Sequence, residues 1–192
     1  MRGLILVLGV FFAFESFAVA FCALRDPIQQ INALFPGYSD YESEVKSINA
    51  STANAFLAEQ GVPVTLHAKE IGKHTLFYVR DNAQLMGMVH VRSEPGNWGL
   101  VEIAWSLSAD GKIKDYRFQR CRGGFCSDAE SESFRARFRG LSVADLAELF
   151  DDKGDIRPVD LASGQELWET MVRSAVKTLV LTEAFWGQDR SY

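Results

Sequence analysis

The chain has little of several residues on which common functional sites depend. It holds three histidines, His67, His74 and His90, in 192 residues, and none has the spacing of a metal ligand set. It has no basic run, and its net charge of −5 gives no electrostatic reason to bind nucleic acid or an anionic membrane. A phosphate loop, a serine elbow and a metalloprotease helix are also missing. The sequence therefore assigns no catalytic residue and no metal site.

A short apolar stretch opens the chain, where Arg2 precedes GLILVLGVFFAF. The stretch is too short for a comfortable membrane span, and Ala18-Val19-Ala20 offers the small residues that a signal peptidase needs. We expect residues 1–20 to be a cleaved signal peptide and the protein to be exported to the periplasm. The alternative is an uncleaved segment that tethers the protein, so that it is peripheral to the membrane at most.

Residues 21–192 are predicted to form a single domain. About 170 residues are enough for one domain with a hydrophobic core. The sequence shows no repeats, low-complexity tracts or linker-like segments that would divide it.

The three cysteines are Cys22, Cys121 and Cys126. In an oxidising compartment the two cysteines of CRGGFC can close a small loop, with Gly123 and Gly124 easing the turn. Cys22 would then be unpaired or joined to another chain. The alternative is that all three thiols are reduced and buried.

The first half of the chain predicts two helices followed by strands. Asp26 as a cap and Pro27 in the first turn begin a helix that Pro36-Gly37 ends, and a second helix covers residues 51–60. Two strands, 74–80 and 85–92, form a hairpin, and two more, 98–107 and 112–120, meet at an Asp-Gly turn with a bulge after Ile113.

The last third is predicted to be helical. Ser142 and Asp145 form a capping-box pattern, and an apolar stripe begins after Gly164 and continues to Leu179. The fold class is therefore α+β, an antiparallel sheet of hairpins packed with N-terminal and C-terminal helices.

Several segments occur in an order that resembles one known family. They are LFPGYSDY, LSADGKIKDYRF, SFRARFRGLSVADL and DLASGQELWETMVRSAV, the last of which runs from Asp160 through Ser163 and Gly164 to Val176. This order resembles the exported FMN-binding domain of the flavoprotein subunits of Rnf and sodium-pumping quinone reductase complexes. The signature of that family contains Ser-Gly-Ala-Thr, followed by Thr-Ser and by alanine-valine pairs along a helix.

The chain departs from that signature at its reactive position. In the family, a flavin transferase joins the threonine of Ser-Gly-Ala-Thr to FMN through a phosphoester. Here Gln165-Glu166 replaces Ala-Thr, and Trp168-Glu169 replaces the following Thr-Ser. Glu166 has no hydroxyl group, so the usual covalent linkage cannot form there.

Ser163 and Glu166 also have a simpler interpretation as an ordinary helix cap. A serine followed three residues later by a glutamate is a capping box. A helix start attracts phosphate through its free N–H groups and partial positive charge, and the carboxylate of Glu166 would compete with that phosphate.

FMN held without a covalent bond remains one of two predictions. Arg120 and Arg122, beside Gly123 and Gly124, could hold a phosphate. Ser163, Gly164 and Glu166, at the helix start that matches the attachment motif, complete the candidate cofactor-binding residues. The aromatic residues that could stack on the flavin, although core packing is their commoner fate, are Trp98, Trp105, Tyr116 and Trp168.

The resemblance implies an electron-transfer or accessory domain rather than a stand-alone enzyme. Its partner would be an envelope redox protein or a membrane-complex protein. The first expectation is an exported domain with non-covalent FMN. The alternative is a flavin-free, partner-binding domain that has lost flavin attachment and has no cofactor. A thiol-based role for CRGGFC is the third expectation.

Overall fold

The computed structural model describes residues 26–96, 99–123, 125–159 and 164–187. The predicted signal peptide, Cys22, Trp98, Gly124 and Ser163 lie outside these residues. In chain order, the helices and strands are α1 (Ile28–Leu34), β1 (Asp40–Ile48), α2 (Ala50–Glu59), a 3-10 helix (Ala68–Glu70), β2 (Gly72–Asp81), β3 (Gln84–Gly96), β4 (Gly99–Leu107), β5 (Ile113–Arg120), α3 (Phe125–Ala129), α4 (Glu132–Arg135), α5 (Val143–Ala147) and α6 (Gln165–Trp186).

The five strands form one antiparallel sheet in the order β1-β2-β3-β4-β5, so each strand pairs with its neighbour in sequence. Helices pack on this sheet from both ends of the chain, and the predicted α+β fold is confirmed. No helix among the described residues is long and apolar enough to cross a membrane.

The inner face of the sheet carries the main hydrophobic core, beneath α6. Alternate residues of β4, among them Ile103 and Trp105, are buried there against the apolar stripe of α6, which includes Val172 and Val176. Burying one such side chain contributes about 1.5–3 kcal/mol, so the face that holds α6 supplies most of the apolar stabilisation.

The outer face carries a smaller core under α1. Its six buried residues are Ile31, Leu34, Phe35, Val79, Val89 and Ala104. Gly87, with φ of +152°, lies under the ring of Phe35, and a Cβ there would be 2.4 Å from the Leu107 carbonyl oxygen. A side chain at this position would therefore separate α1 from the sheet.

Two local predictions are confirmed by the structure. Leu107 pairs with Ile113 and Ser106 with Asp115, which leaves Lys114 as the extra residue of a bulge. The capping box at Ser142 forms with both of its hydrogen bonds to Asp145.

Two other features differ from the predictions. Asp26 does not cap α1, whose N-cap is Pro27. The Asp26 carboxylate instead accepts a hydrogen bond from the Tyr41 hydroxyl at 2.9 Å. Strand β1 was not predicted, because four of its nine residues, Asp40, Glu42, Glu44 and Lys46, are charged and interrupt the pattern of β-forming residues.

The two edges of the sheet are covered to different extents. On β5, the Ile113 N–H donates to the Leu141 carbonyl at 3.0 Å, and the Phe118 carbonyl accepts from the Gln30 amide at 3.2 Å. On β1, β2 is the only strand neighbour among the described residues, and no other backbone hydrogen bond reaches it in that part of the chain.

Candidate functional site

The segment after β5 carries the predicted disulfide. Cys121 and Cys126 are bonded, with their Cα atoms 5.9 Å apart, and the bond joins the residue after β5 to the first turn of α3. Arg122 and Gly123 are exposed in this loop, and Gly123 has φ of +118°. The disulfide is confirmed, and a loop of this kind is typical of proteins from oxidising compartments.

A hollow of about 200 Å³ adjoins the disulfide. It is lined by Phe118, Gln119, Arg120, Cys121, Cys126 and Glu130. The Arg120 guanidinium lies 3.8 Å from the Glu102 carboxylate, which offsets its charge. Cavities that bind small molecules usually measure about 300–1,000 Å³, so this hollow is small for a cofactor.

The predicted attachment position lies at the start of α6. Gly164, with φ of +89°, is the N-cap, and Glu166 is exposed in the first turn. The capping box predicted from Ser163 requires a serine N-cap and a glutamate three residues later. The N-cap is Gly164, so Glu166 is the second residue of the helix and not the third. The predicted capping box placed the helix start one residue too early.

The aromatic residues considered for flavin stacking belong to the core. The Trp105 indole donates to Ser174 Oγ at 3.0 Å, the Trp168 indole donates to the Arg157 carbonyl at 3.3 Å, and the Tyr116 hydroxyl bonds to a backbone carbonyl. Trp105 and Tyr116 have 0% of their surface exposed, and Trp168 has 3%. Their rings are therefore packed against other side chains instead of facing a pocket.

A buried ring of four charges, which sequence analysis missed, lies between the sheet and α6. It consists of Glu70 of the 3-10 helix, Arg92 and Glu94 of β3, and Lys177 of α6. Lys177 Nζ lies 2.9 Å from one oxygen of each glutamate, and Arg92 Nε lies 3.1 Å from Glu94 while its Nη2 contacts Glu70. Each carboxylate therefore meets both cations.

The charge ring is almost fully buried and sums to zero charge. The side-chain exposures of its members are between 1% and 8%. Burial alone raises the pKa of Glu94, but Arg92 and Lys177 outweigh it and hold that pKa below its usual value. Arg92 Nη1 is buried and has no hydrogen-bond partner among the described residues. The charge ring depends on complete pairing, because an unpaired buried charge is strongly destabilising.

Two histidines extend this polar cluster along α6. His74 Nε2 lies 2.8 Å from the Glu70 carbonyl, His90 Nε2 lies 3.3 Å from His74 Nδ1, and Thr182 Oγ1 lies 3.0 Å from His90 Nδ1. A carbonyl oxygen only accepts, so His74 donates from Nε2 and accepts at Nδ1. It follows that His90 donates from Nε2 and Thr182 donates to His90.

Burial favours the neutral form of both rings. Burial, with Arg92 nearby, lowers the pKa of His74 to about 4. Burial, with His74 and Arg92 nearby, lowers the pKa of His90 well below its usual value. A neutral, fully hydrogen-bonded pair orients α6 on β2 and β3, and has no free nitrogen for a proton or a ligand.

An open cavity of about 450 Å³ borders the charge ring. Glu70, Glu94 and Lys177 line it, and Arg173 and Thr170 of α6 line its side. No aromatic residue is among the residues that line this cavity. It suits a small polar solute better than a flavin, whose ring is usually held by apolar and aromatic surfaces.

The sequence contains a weak indication of the charge ring and its two histidines. His90, Arg92 and Glu94 alternate along β3, all on its inner side, and Lys177 interrupts the apolar stripe of α6. A polar residue on an inward face indicates a partner but does not identify it.

Comparison of the sequence with protein-family models gives no match, and comparison with curated proteins gives none either. Among the described residues, no group of three or more His, Cys, Asp or Glu side chains is arranged to hold a metal ion.

Proposed function

We propose that the protein is an exported domain, similar to FMN-binding domains, that has lost flavin attachment and acts by binding a protein partner in the cell envelope. The observation that carries this proposal is the position of Glu166. The residue that would correspond to the flavin-bearing threonine is a glutamate, exposed in the first turn of α6. A carboxylate there cannot form the phosphoester.

Electrostatics at the helix start supports the same proposal. A negative side chain in the first turn interacts favourably with the helix dipole, by about 0.3–1 kcal/mol. The phosphate of FMN would have to displace that interaction or approach a like charge. Gly164 offers a backbone N–H but no side chain to help hold it.

The surroundings of the two predicted binding segments also favour a flavin-free domain. Trp105, Tyr116 and Trp168 are committed to the core, and the hollow beside Arg120 is small for a flavin. The confirmed disulfide supports export, because such bonds persist in oxidising compartments.

Non-covalent FMN binding, with a role in electron transfer, is the second candidate. The observation in its favour is the exposed loop of Arg122 and Gly123 beside the hollow, where a guanidinium and backbone N–H groups could approach a phosphate.

Flavin binding separates the two candidates. The protein is produced together with a flavin transferase, and its visible absorption is recorded before and after acid precipitation. A flavin-free domain stays colourless and does not change its fluorescence on titration with FMN. Colour that is released by acid, or a saturable titration, would establish the second candidate in place of the first.

A gain-of-function variant tests the assignment of position 166. Gln165→Ala combined with Glu166→Thr restores the Ala-Thr of the family signature, and we expect transferase-dependent covalent flavin. Glu183→Thr is the matched control, since it places the same side chain at an exposed position near the other end of α6. Labelling of both variants, or of neither, would contradict the assignment.

A further inference from the structure

The free edge of β1 has the features of an interaction surface. The strand has nine residues, and β2 is its only neighbour among the described strands. Val45, in its middle, has 55% of its surface exposed. An unpaired strand edge presents N–H and C=O groups that another strand can satisfy. The opposite edge, on β5, is already occupied by contacts to Leu141 and Gln30.

The sequence of β1 is complementary to itself about Val45. Glu44 precedes this valine and Lys46 follows it, with Ser43 and Ser47 one position further out. We propose that two copies of the chain pair through β1 in antiparallel orientation, with a two-fold axis at Val45. In this register, Val45 faces its own copy, and each Glu44 faces Lys46 of the second copy.

Three of the neighbouring registers of the same strand are disfavoured by charge. Centring the axis on Glu44 or on Lys46 places like charges directly opposite each other, which destabilises a strand pair. Centring it on Ser43 places Glu42 opposite Glu44. The Val45 register brings opposite charges together twice and also joins the exposed valines.

Contacts within one copy already hold Glu44 and Lys46 close to β1. Lys46 Nζ lies 3.3 Å from Glu44 of its own strand and donates to the Phe185 carbonyl at 2.7 Å. Their side-chain exposures are 26% for Lys46 and 39% for Glu44, so these charges contribute modestly and mainly select the register. The backbone hydrogen bonds of the new strand pair supply most of the attraction.

Such a dimer is isologous, because both copies use the same surface. The two five-stranded sheets become one ten-stranded sheet, and the exposed edge of each copy disappears. This inference does not depend on whether the protein binds flavin.

Charge exchange tests the pairing and its register together. The mass in solution is measured by light scattering over a concentration series for the purified chain, for Glu44→Lys and for Lys46→Glu. We expect a dimer for the unaltered chain. Each single variant should weaken dimerisation about tenfold or more, because two attractive cross-strand pairs become repulsive. Circular dichroism checks that each variant is folded.

Mixing the two single variants separates an interface from a role within one strand. The Glu44→Lys chain presents two lysines and the Lys46→Glu chain presents two glutamates, so the mixture should form a heterodimer at concentrations where each variant alone is largely monomeric. Pairing within one strand cannot be restored by mixing. A monomeric unaltered chain, single variants that dimerise as tightly as the unaltered chain, or a mixture that associates no better than the single variants would each overturn the proposal.

Discussion

The first turn and the middle of α6 each carry a charged residue, but one is exposed to solvent and the other is buried. Glu166, near Gly164, is exposed in the first turn of the helix. Lys177, eleven residues later, is buried among two glutamates and an arginine. We therefore expect Glu166, the position to which the family resemblance pointed, to be replaceable at little cost in stability. Lys177, which the sequence analysis did not single out, should not be.

The largest effect is expected at Lys177. Lys177→Met leaves two buried glutamates with Arg92 alone and should lower the free energy of unfolding by about 3–5 kcal/mol. Urea denaturation followed by circular dichroism measures the loss. Arg173→Met, one turn away and only partly buried, is the matched control and should cost less than about 1 kcal/mol. Equal losses in the two variants would contradict the role of the charge ring.

Acid should lower the stability of the fold through the two histidines of β2 and β3 that pack against α6. The pKa of His74 is about 4 in the folded protein and 6.5 in the unfolded chain, so unfolding takes up a proton between these values. The stabilisation is complete above about pH 6.5 and falls by about 3 kcal/mol as the pH drops toward 4. Urea denaturation at several pH values measures the slope.

Two further groups in this cluster contribute to the pH dependence. The lowered pKa of His90 adds to the slope in the same direction, and the lowered pKa of Glu94 adds a loss below about pH 4.5. His74→Gln should make the curve shallower between pH 6.5 and 4. An unchanged slope in this variant would mean that His74 titrates alike in the folded and unfolded chains.

A smaller effect is expected at the end of the histidine chain. Thr182→Val removes the donor to His90 Nδ1 and leaves a buried acceptor unsatisfied, which costs about 1–3 kcal/mol. Thr178→Val is the control, because this equally buried hydroxyl bonds only to the Ser174 carbonyl of its own helix. Denaturation midpoints compare the two variants, and a larger loss for Thr178→Val would contradict the tautomers assigned to the histidines.

The smallest effect is expected in the first turn. Glu166→Gln removes a favourable charge from the helix start and should cost about 0.3–1 kcal/mol, less at high salt. Glu183→Gln, near the other end of α6, is the control, because a negative charge there is not stabilised by the helix dipole. Thermal unfolding at low and high salt measures both changes. A loss at Glu166 that matches the loss at Lys177 would remove the contrast between the two regions.

The parts of the fold that could be predicted from sequence have local signals. The apolar stripe of α6, the hairpin strands, the Ser142 capping box and the Cys121–Cys126 bond each depend on residues that are near one another in the chain. The β1 strand was not predicted because edge strands tolerate charge, and a charged residue at every second position is more typical of a loop.

The buried cluster could not be predicted, because its members are brought together only by the tertiary fold. Lys177 and Glu70 are 107 residues apart, and Lys177 and Glu94 are 83 apart. Each residue alone is compatible with a solvated surface. The order of strands and the placement of α6 over β3 decide which charges meet.

The thin layer under α1 is where we expect the protein to open first. A segment held by few apolar contacts opens locally at a lower free energy than the whole domain. Release of α1 would uncover Val79, Val89 and Ala104 on the sheet, while the charge ring and α6 stay in place on the other side. The first partly unfolded form would then be a nearly intact domain with an exposed apolar face, open to proteases and to self-association.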